Sequence, residues 1–66
     1  MKYSLAGVDG NAFSVMGYVK NAMRKEGKNT EETKTYSRKA MSGNYDNLLM
    51  VSQNALEELN KKEVVR

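Results

Sequence analysis

Lys20 and Arg24 lie four residues apart, as do Lys34 and Arg38, so each pair shares one face of any helix that carries it. Cations arranged in this way neutralise phosphate, and they are the side chains of this sequence best suited to hold a ligand. Residues 20–39 contain Lys20, Arg24, Lys25, Lys28, Lys34, Arg38 and Lys39 against Glu26, Glu31 and Glu32, a surplus of four positive charges in a chain of net charge +3. A solvated helix surface is the competing reading, because the surplus is small. The turn Gly7-Val8-Asp9-Gly10-Asn11 is a second candidate. Free N–H groups where a helix starts attract anions, which makes Gly10 and Asn11 candidate phosphate donors. However, the turn lacks the Gly-Lys-Ser/Thr ending of a nucleotide-triphosphate loop, and Asp9 repels an anion. A tight turn with Asp9 or Asn11 as helix cap is the simpler account. The third candidate is Tyr18, beside Gly17 and near Lys20. A tyrosine so placed stacks on a base or other flat ligand, or packs into a subunit interface.

Catalysis has little to work with. There is no histidine and no cysteine, so acid–base work falls to Asp, Glu, Lys or Tyr, and a nucleophile to Ser, Thr or Lys. Ser4, Ser14, Ser37, Ser42 and Ser52 are scattered without a base partner at a recognisable spacing, and Glu31/Glu32 and Glu57/Glu58 read as helix-surface charges. The expectation is a binding protein, not an enzyme, with no catalytic residue and no cofactor. Zinc would find none of its usual nitrogen or sulfur ligands.

The elements that must position these residues are legible in the apolar spacing. Ala12, Val15, Met16, Val19, Ala22 and Met23 recur at three- and four-residue steps, and Phe13 widens the stripe at its start. With Asn11 or Asp9 as cap and Gly27 after Arg24 and Lys25, this predicts a first helix over residues 11–26. Gly17 inside it costs about 1 kcal/mol against alanine, so another backbone or a ligand is expected to approach there. Asn29-Thr30-Glu31-Glu32 reads as a capping box opening a second helix from Thr30 to Ser42, with a thin apolar side of Thr33, Tyr36, Ala40 and Met41. Asn44 caps a third helix whose stripe is Tyr45, Leu48, Leu49, Ser52, Ala55, Leu56 and Leu59. Met50 and Val51 flank that stripe and hint at a partner surface. The tail Lys61-Lys62-Glu63-Val64-Val65-Arg66 continues the helix, frays, or forms a short edge strand. Residues 2–5 read as a short extended lead-in. The fold class expected is therefore mainly α: a short N-terminal extended segment, then three helices, in one domain spanning residues 1–66.

Sixty-six residues bury a modest core, and disulfides and metal are not available to staple it. Self-association is the remaining staple, so a homo-oligomer is expected. No apolar run approaches the ~18 residues of a membrane span, and the start lacks the apolar stretch of a secretory signal, which together favour the cytoplasm. A helix-turn-helix reading of the second and third helices fails on charge. The would-be recognition helix starts Asn44-Tyr45-Asp46-Asn47 and has no Arg or Lys before Lys61.

The segments Ser4-Leu5-Ala6-Gly7-Val8-Asp9-Gly10-Asn11-Ala12-Phe13-Ser14-Val15-Met16-Gly17 and Ala40-Met41-Ser42-Gly43-Asn44-Tyr45-Asp46-Asn47-Leu48-Leu49 resemble a family of very short bacteriophage and mobile-element proteins. Their Gly-Asn-Ala-Phe and Ser-Gly-Asn-Tyr cores are the specific part. The resemblance implies a setting: counter-defence in the host cytoplasm, by sequestering a nucleotide signal or blocking a host defence protein. It implies no catalytic residue. The leading expectation is sequestration of a phosphate-bearing nucleotide by Gly10, Asn11, Gly17, Tyr18, Lys20 and Arg24. The alternatives are a plug that blocks a host complex through the apolar side of the third helix, and a small nucleic-acid-binding accessory protein.

Overall fold

Asn11 starts the first helix as the spacing predicts: its Oδ1 accepts from the backbone N–H groups of Phe13 and Ser14 at 2.8 and 3.4 Å. The computed structural model describes residues 3–64, with side chains through Lys61, and its elements are α1 (Ala12–Lys25), α2 (Thr30–Ala40) and α3 (Tyr45–Val64). Helix α1 closes at Gly27, whose φ of 91° is readily reached without a Cβ. There Gly27 N–H donates to the Arg24 carbonyl and Lys28 N–H to the Met23 carbonyl, at 3.0 and 2.9 Å, the paired bonds of a Schellman stop. The capping box of α2 is complete. Glu32 N–H donates to Asn29 Oδ1 and Asn29 N–H to Glu32 Oε1, both at 2.9 Å.

Helix α2 ends at Ala40, two residues short of the expected Ser42. Ser42 folds back locally, its N–H and Oγ donating to the Lys39 carbonyl at 3.2 and 2.7 Å, and the next helix adds further bonds. Asn47, in the first turn of α3, donates Nδ2 to the Lys39 and Ala40 carbonyls at 3.0 and 3.3 Å, while Asn44 Oδ1 accepts Asn47 N–H at 3.0 Å. A Cβ on Gly43 would stand 3.0 Å from Asn47 Cβ, a tight contact that Asn47 would have to relieve by shifting a few tenths of an ångström. At the C-terminal end, α3 continues through Val64, which resolves the ambiguity of the tail toward helix. Residues Val65 and Arg66, like Lys2 of the lead-in, lie outside the described residues.

The three helices pack pairwise around Val15, Met16, Val19, Ala22, Met23, Tyr36, Ala40, Leu48, Leu56 and Leu59, all buried. Phe13 does not join this core. It is 79% exposed, because position 13 falls nearly opposite the stripe formed by residues 15, 19 and 22. Tyr3 is buried without belonging to a strand. Its N–H and carbonyl are met by the Asn60 amide of α3, Oδ1 accepting and Nδ2 donating, both at 2.9 Å. Its hydroxyl donates to Glu26 Oε2 at 2.7 Å. Thus the lead-in is held by side chains, and no strand occurs among the described residues. Nor is any described helix long and apolar enough to cross a membrane.

Candidate anion-binding cleft

The four-residue connection 26–29 folds α2 back along α1, and this places Lys20 and Arg24 against Lys34. Together with Thr30, Thr33 and Ser37 they line a cleft of about 190 Å³ between the two helices. Hydroxyls at 30, 33 and 37 recur at i, i+3 and i+7, so they form one stripe of α2 facing α1. No carboxylate lines this cleft. Among the described residues, no carboxylate oxygen lies within ion-pair distance of Lys20, Arg24 or Lys34. Arg24 uses Nη1 to donate to Asn21 Oδ1 at 3.1 Å, which leaves most of its guanidinium donors for a ligand. Thr33 Oγ1 is spent on the Thr30 carbonyl at 2.8 Å. Ser37 Oγ is out of solvent contact and has no partner. An unmatched buried hydroxyl costs about 1–3 kcal/mol, so rotating it into the cleft to meet a ligand oxygen would be favoured. Chemically, the cleft can hold and neutralise a compact anion.

The predicted site residues separate into groups. Lys20 and Arg24 come together as expected, and Lys34 joins them. Gly17 lies on the same face of α1 one turn earlier, and nothing stands within 4 Å of a Cβ built there. Within one chain, therefore, no close approach explains that glycine. Gly10 and Asn11 sit at the other end of α1, about 20 Å from Arg24 along the helix. The Gly10 carbonyl accepts from the Tyr45 hydroxyl, and Asn11 already occupies the N–H groups of Phe13 and Ser14. That is the arrangement of a capped turn.

Tyr18 faces away from Lys20. It borders a second cleft, of about 530 Å³, with Tyr3, Asn21, Ala22, Arg24 and Lys25. Its hydroxyl accepts from Ser4 N–H at 3.1 Å. This larger cleft is the weaker candidate, since the Tyr18, Tyr3 and Asn21 polar groups are engaged with one another's neighbours. Lys34 was expected only as part of the basic face, and Thr30, Thr33 and Ser37 were not among the residues expected to bind. The hydroxyl spacing would have found them, had Thr33 not been counted with the apolar side of α2. Compared with protein-family models, curated proteins and solved structures, the chain matches none.

Proposed function

We propose that this protein is a non-catalytic binding protein for a phosphate-bearing ligand of the nucleotide class, with the phosphate held in the α1–α2 cleft. The observation that carries the reading is the convergence of Lys20, Arg24 and Lys34 on one concavity with no carboxylate beside them. Unpaired like charges repel one another, and an anion among them relieves that repulsion while gaining charge-assisted hydrogen bonds. Sequestration of a nucleotide signal in phage counter-defence is the biological setting that the resemblance favours. The apolar plug is the second reading, favoured by Met50, which is 58% exposed on α3.

Isothermal titration of adenosine and guanosine mono-, di- and triphosphates and their cyclic mono- and dinucleotides tests the proposal at low salt. At least one should bind, and more weakly as salt rises. Lys20→Ala, Arg24→Ala or Lys34→Ala should each weaken binding about tenfold or more, the size expected for losing a hydrogen bond to a charged group. Lys39→Ala, the same charge change on the opposite side of α2, should have little effect. Absence of binding across the panel by the folded protein would leave the plug, with sensitivity at the exposed Met50; Leu56, expected to share that face, is buried in the core instead.

A further inference from the structure

The cleft is too small for what it is proposed to bind. Ligand pockets run to about 300–1,000 Å³, and 190 Å³ accommodates little more than the phosphate end of a nucleotide. The base must lie outside, along the exposed face of α1. That face carries Phe13, Gly17, Lys20 and Arg24, at i, i+4, i+7 and i+11, which stack in one line on the side away from the core. Two members of the line have no explanation within the chain. Phe13 is 79% exposed, and Gly17 sits in mid-helix with open space around it.

We infer that the site is completed by a second copy of the chain, whose α1 crosses this α1 antiparallel at Gly17 and lays its Phe13 over the mouth of the cleft. The register follows from the helical rise of 1.5 Å per residue. Phe13 lies about 6 Å before Gly17, Lys20 about 4.5 Å after it and Arg24 about 10.5 Å after it. A two-fold axis at Gly17 therefore sets the second copy's Phe13 between the levels of Lys20 and Arg24. The glycine lets the two backbones close up, and the ring gains a flat surface for a base beside the phosphate subsite. Parallel pairing would stack Phe13 on Phe13 and cation on cation. Antiparallel pairing gives each cation a ring instead. Because both copies bring Lys20 and Arg24 to the interface, phosphate neutralisation should drive the pairing. Ligand binding and dimerisation are then one linked equilibrium.

This inference rests on the anion-binding reading, and sedimentation velocity combined with titration separates the two. The probes are the tightest-binding nucleotide of the panel above and inorganic pyrophosphate, which has no base. The nucleotide should shift the wild-type protein from monomer toward dimer mass. Gly17→Leu should remain monomeric and bind nucleotide about tenfold more weakly, with a smaller loss for pyrophosphate, which forgoes the shared cations but no ring. Phe13→Ala should lose about tenfold in nucleotide affinity, the scale of one base stack, and retain pyrophosphate. Both positions are open in the folded chain, and circular dichroism verifies helicity. If Gly17→Leu does not fold, Phe13→Ala decides alone. Nucleotide binding with no change in mass, or with affinity unaffected by Phe13→Ala, overturns the second copy and leaves the cleft standing. Failure of both probes to bind defeats the cleft itself.

Discussion

Tyr36 and Ser52 meet in the core with their hydroxyl oxygens 2.5 Å apart, at 5% and 0% exposure. Burial raises the Tyr36 pKa above its usual value, and the Ser52 hydrogen bond opposes that shift. A raised folded-state value means that the unfolded chain releases this proton first as pH climbs. The contribution of Tyr36 to stability is therefore complete below the ordinary tyrosine range, near about 10, and is lost as pH rises through the folded value. Tyr36→Phe should cost about 1 kcal/mol at neutral pH, because Ser52 Oγ is left unpaired, and should flatten the alkaline loss. Urea unfolding at pH 7 and across the alkaline range measures both, and an unchanged alkaline slope would assign the titration to another group. The sequence placed Tyr36 on the apolar side of α2 and Ser52 in the stripe of α3, and both are buried, but nothing in their spacing announced that they pair.

Helix limits were legible wherever the stop or start signal is local. Asn11, Gly27, the Asn29/Glu32 box and Asn44 act on residues within a few positions of themselves, so propensity and capping suffice to place them. The end of α2 was two residues out, since Ser42 turns back to the Lys39 carbonyl and Asn47 reaches across the corner from the next helix to hold the Lys39 and Ala40 carbonyls. Phe13 was misplaced for a related reason: apolar character was taken as burial, whereas its angular position puts it outside. The basic cleft was half legible. Lys20, Arg24 and Lys34 follow from charge spacing, but their convergence depends on how tightly the 26–29 connection turns. Asn47→Ala should fray the last turn of α2, where Asn47 caps the Lys39 and Ala40 carbonyls, and cost about 1–2 kcal/mol. Hydrogen exchange would show it as faster amides at the end of α2 with α1 protection unchanged. Uniform acceleration across the three helices would mean that the corner bonds do not act locally.

For the molecule as a whole, α3 packs extensively on both other helices, on α1 across the chain and on α2 through the Asn47 corner, while α1 and α2 meet over a smaller area beside their tight connection. The Tyr3–Asn60 pairing is different. It links residues 57 positions apart, and it does so with one amide side chain satisfying both polar groups of a backbone residue. Contacts of that separation carry the largest loop-closure cost, whereas helical hairpins form quickly from local contacts. The fastening of the lead-in onto α3 should therefore come after the rate-limiting step of folding. Asn60→Ala should then speed unfolding while leaving the refolding rate nearly unchanged, since a contact absent from the transition state is felt on the unfolding limb. Stopped-flow chevrons of the two proteins would show it, and a slowed refolding limb would place the clasp in the nucleus. If the order is as expected, the clasp governs how long each molecule stays folded once made, and so its exposure to proteases, more than how fast it is made.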